Sequence, residues 1–161
     1  MHFRPLRRSR QALSLPEAEA ILAQCSHGIL ACLGDDSYPY AVPLNYVYHQ
    51  GKIYLHSAKE GHKIDAIKSH PKVSFAVVGQ DTIVSKEYTS YFSSVIVFGE
   101  ARIITGQERL TAFGILTGKY SPDQSEEDRE QVIQHCQQAE IIAIDIHHLS
   151  GKQARELMQN P

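Results

Sequence analysis

Residues 52–73, KIYLHSAKEGHKIDAIKSHPKV, decide the fold. The first part alternates as a β-strand does, with Ile53 and Leu55 on one face. After a glycine, Ile64 and Ile67 lie three residues apart, which places them on one face of a helix. A proline follows and cannot extend that helix. The stretch therefore predicts a strand, a loop and a short helix.

The start of this helix is a candidate phosphate site. Free backbone N–H groups and the positive end of the helix dipole suit an anion there. Ser57, His62 and Lys63 cluster beside Gly61. Glu60 would repel a triphosphate and the Walker A spacing is missing, so a monophosphate is favoured. Two interpretations stay open: a ligand site, or a solvated lysine beside an ordinary loop.

Bulk properties exclude several classes of protein. The 161 residues suit one domain spanning 1–161, and a net charge of −2 gives no overall case for binding nucleic acid or an anionic membrane. No apolar run is long enough to span a bilayer, and no signal peptide is visible. The three cysteines are scattered, which predicts reduced thiols and a cytoplasmic protein.

Both ends of the chain are expected to be tails. Residues 153–161 are polar, and residues 1–13 are locally basic. The basic segment is either a solvated tail or an arm that grips phosphate. Its charges are Arg4, Arg7, Arg8 and Arg10.

A strand over 38–48 is interrupted by Pro39 and Pro43. Proline has no N–H for a sheet ladder, so this strand is predicted at an edge or with a bulge. Asn45 offers a donor and an acceptor, either for a planar heterocycle or for the irregular backbone itself. The two roles remain alternatives.

The remaining pattern predicts strands with few helices between them and no regular βαβ alternation. That order favours a mainly β protein, an antiparallel sheet or barrel with peripheral helices. Capping boxes predict helix starts at 14–17 and 105–108. Further predictions are strands over 28–33, 73–78, 91–104 (with a bulge or a close backbone approach at Gly99) and 140–146, a loop over 80–89, and a helix over 125–138.

Catalytic and metal motifs are missing. There is no Gly-x-Ser-x-Gly elbow and no His-Glu-x-x-His helix. His147 and His148 are adjacent and would face opposite ways on a strand, so no metal site is expected. Cys25 and Cys32 lie in apolar segments, which is typical of buried small hydrophobes. If the protein is an enzyme, a bound cofactor carries its chemistry.

Four segments in order resemble the nitroimidazole-resistance branch of the pyridoxamine-phosphate-oxidase-like flavoproteins. The resemblance extends from about Arg4 to Lys152. The segments are 40–46 (YAVPLNY), 53–58 (IYLHSA) followed by 61–63 (GHK), 94–99 (SVIVFG) and 149–152 (LSGK).

This resemblance implies an antiparallel Greek-key split β-barrel that binds FMN at the interface of a homodimer. One set of residues would surround the flavin ring, ribityl chain and phosphate, and a second set would reach the flavin from the partner subunit. The first set is Val42, Pro43, Leu44, Asn45, His56, Ser57, Ala58, His62 and Lys63; the second is Ser93, Ser94 and Val95.

The chain departs from the family in two respects. Members often carry a charged residue between an aromatic and the Ser-Val pair, whereas Phe92-Ser93 stands here. The basic residues that bind substrate in true pyridoxamine-phosphate oxidases have no match. Oxidation of vitamin B6 is therefore not predicted.

The leading hypothesis is an FMN-dependent oxidoreductase that acts on a small organic molecule. His56 is the candidate protonating group, or a residue that only hydrogen-bonds the flavin. The alternatives are a flavin-binding or storage protein without turnover, and a haem-handling relative with His147 or His148 as axial ligand. A nucleic-acid-binding module is the weakest alternative, because the net charge is negative.

Overall fold

A computed structural model describes residues 2–136 and 139–158. Within these ranges seven strands form one antiparallel sheet in the order β2-β1-β5-β6-β7-β4-β3, with helices around it. The strands are β1 (His27–Leu33), β2 (Pro39–Asn45), β3 (Val47–His49), β4 (Lys52–Ala58), β5 (Lys72–Val84), β6 (Thr89–Ile104) and β7 (Ala139–Gln153). The α-helices are α1 (Leu15–Gln24), α2 (His62–Ser69), α3 (Gly106–Tyr120) and α4 (Glu126–His135).

The prediction of a mainly β split barrel is confirmed. The inner face of the sheet closes over an apolar core that includes Leu30, Phe75 and Val97. Helix α3 covers part of the outer face, where Phe113 and Leu116 pack on β4 and β7. The run 141–144 is consequently buried on both faces, and this explains why it is continuously apolar instead of alternating.

The stretch 52–73 folds as predicted. Strand β4 ends at Ala58, and α2 begins after Gly61, whose φ of 122° suits glycine. Ile64 and Ile67 are buried against the core. The local pattern is strong enough here to fix strand, loop and helix without long-range information.

The single strand predicted over 38–48 is in fact two strands. Strand β2 pairs with β1 at one edge of the sheet, and β3 pairs with β4 at the other edge. Tyr46 lies between them and is fully buried. Pro39 and Pro43 lie on the edge strand β2, as their missing N–H groups require.

Two predicted boundaries were wrong. Residues 80–84, expected in a loop, continue β5 after a register shift between Val78 and Gln80. Their side chains are exposed or half-buried, so the hydrophobic alternation that marks a strand is absent. The last strand reaches Gln153 instead of ending at Ile146, and it includes both His147 and His148.

The capping box predicted at 105–108 is also wrong. No side-chain bond caps α3 at Thr105. The Glu108 carboxylate instead accepts hydrogen bonds from Arg102 at 2.8 Å and from Lys52 at 3.1 Å. The charged hydrogen bonds from Arg102 and Lys52 thus take the place of the local cap that the sequence predicts. The first box is confirmed, with Glu17 against Ser14, and the bulge at Gly99 appears as a register shift.

The N-terminal segment packs on the sheet and is not a free tail. Ala12 bridges to Lys152 in β7, and Gln11 is buried. Phe3 stacks on His148 with ring centroids 4.7 Å apart. At the other end, Ala154 is buried just after β7, and residues 159–161 lie outside the described part of the chain.

Helix α4 ends at His135, three residues before the predicted end at Gln138. Gln137 and Gln138 lie outside the described residues. Over the described ranges, no helix is both long and apolar enough to cross a membrane.

Candidate functional site at the ends of β2 and β4

A cavity of about 220 Å³ opens between the sheet and α3. Asn45, the last residue of β2, and His56 in β4 both line it, although they come from strands at different positions in the sheet. The apolar side is formed by Phe113 and Leu116, and Tyr120 adds a hydroxyl. The structure thus brings together two residues that the sequence singled out separately.

Alternation along β2 decides which predicted side chains can reach a ligand. Pro43 and Asn45 are exposed, whereas Val42 and Leu44 pack against the core. Val42 and Leu44 therefore offer a ligand only their backbone groups. Asn45 is the polar side chain that this strand presents.

His56 and Ser57 are neighbours in β4 but face opposite ways. His56 is exposed, and Ser57 is only 5% exposed. The ammonium of Lys63 donates to Ser57 Oγ at 2.7 Å and so ties the first turn of α2 to β4. Two of the three predicted phosphate-site residues are therefore in direct contact.

The third predicted residue, His62, takes a different direction. Its ring stacks on Tyr40 with centroids 4.1 Å apart, and its Nε2 accepts a 3.4 Å hydrogen bond from the Asp35 N–H. This places the imidazole over the turn between β1 and β2. The start of α2 itself is open, since a Cβ built on Gly61 would meet no atom within 4 Å.

The last two residues of α3 form hydrogen bonds with Tyr46, the residue between β2 and β3. The Tyr46 N–H donates to the Tyr120 hydroxyl at 2.9 Å. Lys119 donates to the carbonyls of Cys25 and Tyr46 at 2.6 and 3.2 Å, and its ammonium lies over the Tyr46 ring. Burial lowers the pKa of Lys119. Sequence reasoning missed these contacts, because nothing local marks Lys119 or Tyr120 as partners of residues more than 70 positions away.

The buried thiols are poor nucleophiles. Cys32 is buried as predicted, and Cys25 is half-buried. Burial raises the thiol pKa of both residues, which keeps them protonated. No group of His, Cys, Asp and Glu residues that could hold a metal ion occurs among the residues described.

The segment 93–95 in β6 also divides between two faces. Ser93 and Val95 point into the barrel and are buried, whereas Ser94 lies on the outer face, half-buried. Ser94 pairs across the sheet with Val78 in β5 and Lys152 in β7. Only Ser94 presents its side chain to a molecule outside the barrel.

The outer face of β1, β5 and β6 carries an apolar surface, which we call the outer patch. Its large side chains remain two-fifths or more exposed, and Ile29 and Ile96 lie on either side of Ala76, with which both pair. The patch consists of Ile29, Val78, Ile96 and Phe98.

Comparison with known proteins assigns the chain to a family. The model of the pyridoxamine 5'-phosphate oxidase family matches residues 14–153, which is most of the sequence. The chain belongs to this family. An uncharacterized protein from Rhizobium meliloti is 30% identical over 116 residues, which cover 68% of this chain and 70% of that protein.

Solved structures share the fold. A protein from Bacteroides thetaiotaomicron, provisionally named a 5-nitroimidazole antibiotic resistance protein, is 21% identical with a TM-score of 0.75 over 88% of this chain and 86% of that one. An FAD-binding protein from Mesorhizobium loti is 25% identical, with a TM-score of 0.63 over 89% and 96%. An FAD- and haem-binding protein from Mycobacterium smegmatis is 15% identical, with a TM-score of 0.71 over 90% and 74%.

Proposed function

We propose that this family member is an FMN-binding flavoprotein that passes electrons from a reductant to a small organic acceptor. The observation that carries the proposal is the path along β4. His56 faces the cavity that Asn45 also lines, and the same strand leads within a few residues to the Lys63–Ser57 contact and the open start of α2. A ring site and a phosphate site therefore lie near the same end of β4, on its opposite faces, since His56 and Ser57 face opposite ways.

The residues present suit a flavin. The cavity wall combines apolar side chains with the amide of Asn45 and the imidazole of His56, as an amphipathic ring requires. At the start of α2, the Lys63 ammonium keeps donors beyond the one given to Ser57. The open space at Gly61 gives a phosphate access to the first N–H groups of the helix.

Each group has a distinct task in this proposal. A bound flavin supplies the acceptance and transfer of an electron pair. Asn45 orients the polar edge of the ring, and Lys63 neutralises the phosphate. His56 holds or delivers a proton at the cavity mouth, and Phe113 and Leu116 exclude water from that side.

A homodimer belongs to the same proposal. Each residue of the outer patch remains two-fifths or more exposed in the described part of the chain, although Phe98 also stacks on Phe3 and His148. This exposed apolar surface supports a second copy as its cover. Ser94 lies beside this patch, next to Ile96 on the same face. A partner seated on the patch would thus lie against the one side chain of segment 93–95 that faces outward.

The haem alternative has less local support. His147 lines a cavity of about 290 Å³ together with Phe3, and His148 is stacked against Phe3. An axial ligand needs an imidazole free to meet the iron. These contacts favour a packing role for His148.

The test is reconstitution followed by turnover. The purified chain is titrated with FMN and, separately, with FAD, and binding is followed by visible absorbance and fluorescence. The FMN-loaded protein is then photoreduced without oxygen and mixed with a nitroaromatic or a quinone. We expect tighter binding of FMN than of FAD, and reoxidation that saturates with acceptor and exceeds the rate of free reduced FMN.

Three outcomes would contradict the proposal. A chain that binds neither flavin would refute it entirely. Preference for FAD would overturn the assignment of FMN. Tight binding with reoxidation no faster than that of free flavin would favour the storage alternative. His56→Gln then separates proton delivery, which would slow turnover, from simple flavin binding, which would change affinity.

A further inference from the structure

A further cavity, of about 360 Å³, shares no lining residue with the cavity of Asn45 and His56. It is formed where both ends of the described chain meet the start of β6. We call it the terminal cavity. Its polar and aromatic lining includes Arg8, Gln11, Thr89, Ser90, Phe92 and Arg155.

Backbone hydrogen bonds build this cavity. The Leu13 N–H donates to the Gly151 carbonyl at 3.0 Å, which holds the N-terminal segment on β7. Just beyond β7, the Ala154 N–H donates to the Phe92 carbonyl at 2.8 Å. The N-terminal segment is thus held on β7 and the chain just after β7 is held on β6, so hydrogen bonds fix both ends of the described chain beside the cavity.

Gln11 is the unusual group in this wall. It is only 6% exposed, yet its Oε1 has no hydrogen-bond partner among the described residues. A buried acceptor without a partner loses its hydrogen bonds to water on folding and gains none in return, which destabilises the fold. A glutamine that served only for packing would therefore be destabilising at this position. A ligand or water that donates a hydrogen bond to Gln11 Oε1 would remove this penalty.

The charge of the terminal cavity suits an anion. Arg8 and Arg155 bring two guanidinium groups, against one carboxylate from Glu156. The Lys152 ammonium, 5.0 Å from the centre of the Phe92 ring, adds positive charge beside the wall. Guanidinium groups bind phosphate and carboxylate through paired hydrogen bonds.

We infer that the terminal cavity binds a small anion that also carries hydroxyl groups, such as a phosphorylated polyol. The arginines would hold the anionic group. The unsatisfied Gln11 acceptor would take a hydrogen bond from a ligand hydroxyl, and Thr89 and Ser90 could bond further hydroxyls. The terminal cavity shares no lining residue with the cavity of Asn45 and His56, and the inference does not rest on flavin binding.

The experiment is isothermal titration calorimetry of the full-length protein at low ionic strength. Glycerol 3-phosphate provides a phosphate with hydroxyl donors, and sulfate provides an anion without them. We expect glycerol 3-phosphate to bind and sulfate to bind at least several-fold more weakly. The substitutions Arg155→Gln and Arg8→Gln should each weaken the binding of glycerol 3-phosphate about tenfold or more, because each removes a charged hydrogen bond.

Matched variants separate this site from general charge and from the flavin site. Arg4→Gln removes an exposed arginine of the same N-terminal segment that does not line the cavity and should change affinity less than twofold. Lys63→Met, and saturation of the protein with FMN, should also leave affinity unchanged. Gln11→Leu should abolish the preference for glycerol 3-phosphate over sulfate. The melting curve of Gln11→Leu shows whether this variant is folded. If it is unfolded, the two arginine variants still test the site independently.

The inference fails if glycerol 3-phosphate does not bind, or if sulfate binds equally well. It also fails if Arg4→Gln weakens binding as much as Arg155→Gln does. Loss of binding in Lys63→Met or under saturating FMN would assign the anion to the proposed flavin site. Failure of flavin binding with these results intact would overturn the proposed function alone.

Discussion

The hydroxyl of Tyr120 lies 2.9 Å from the backbone nitrogen of Tyr46 and accepts its hydrogen bond. The bond joins the last residue of α3 to the point where the chain leaves β2 at one edge of the sheet and enters β3 at the other. Tyr46 is fully buried, and its own hydroxyl donates to the Leu22 carbonyl at 2.7 Å. The hydrogen bonds of its neighbour Tyr46 consequently hold Asn45 beside the cavity, and the Asn45 side chain is not needed for this.

Removal of this contact should loosen the cavity wall. Tyr120→Phe leaves the buried Tyr46 N–H unsatisfied, and we expect a loss of about 1–2 kcal/mol in the free energy of unfolding. Urea titration measures it. Tyr38→Phe is the matched control, because Tyr38 is 75% exposed and its loss should stay within about 0.5 kcal/mol. Equal effects of the two substitutions would refute the role given to Tyr120.

The contact between Arg102 and Glu108 predicts acid sensitivity. Hydrogen bonds from Arg102 chiefly, and from Lys52, lower the pKa of Glu108 to about 2 from an ordinary 4.5. A carboxyl with a lowered folded-state pKa stabilises the protein above its unfolded pKa. That stability is lost as the pH falls from about 4.5 towards 2. Because the Glu108 side chain is about one-third exposed, solvent screening limits the effect to about 1 kcal/mol.

Glu108→Gln should therefore reduce stability near neutral pH and flatten its dependence between about pH 5 and 2. Urea unfolding at a series of pH values measures this slope. Glu130→Gln, on the exposed face of α4, serves as control and should retain the wild-type slope. An unchanged slope in Glu108→Gln would show that the ion pairs contribute nothing to folding.

Two glycines should respond to alanine with opposite signs. A Cβ at Gly99 would overlap the backbone oxygen of Asp145 in β7, so Gly99→Ala should destabilise by about 3 kcal/mol or prevent folding. Gly118, in α3, has no atom within 4 Å of that position. Gly118→Ala should stabilise by about 0.5–1 kcal/mol through helix propensity. Thermal melting checks both, and equal shifts would contradict the bulge geometry.

The outer patch should control assembly. Ile96 is 42% exposed in the middle of the patch, and Ile96→Lys would place a charge there. We expect a dimer for the wild type and a monomer for this variant in analytical ultracentrifugation. Ile83→Lys is the control, since Ile83 is 79% exposed near the end of β5 and is not part of the patch. A wild-type monomer, or a dimer that tolerates Ile96→Lys, would remove the patch from the proposal.

The sequence predicted what local patterns can determine. Residues 52–73 folded as expected because alternation, a glycine and helical spacing all lie within one segment. Pro39 and Pro43 placed β2 at an edge for a similarly local reason, the missing N–H groups. Asn45 and His56 could be singled out by residue type, but their meeting at one cavity depends on the order of the strands.

The errors arise from long-range contacts. Glu108 fits a capping box in sequence, but Arg102 and Lys52 bind it in the fold. The polar end of β5 is a strand only because β6 pairs with it. Tyr120 and Lys119 carry no local mark of their contacts with Tyr46. In each case a partner distant in sequence overrides or supplements the local preference.

The central claim is that FMN binds with its phosphate at the start of α2. The most direct test is to titrate the wild type, Lys63→Met and Lys59→Met with FMN and to monitor binding by the quenching of flavin fluorescence. Lys59 is an exposed lysine four residues earlier in the same loop region, so it matches Lys63 in charge without the contact to Ser57. We predict that the wild type binds FMN and that Lys63→Met weakens it about tenfold or more. Lys59→Met should bind within about twofold of the wild type, and the melting temperatures of all three should agree closely. A wild type that does not bind FMN, or a Lys63→Met variant that binds it as tightly as the wild type, would contradict the claim.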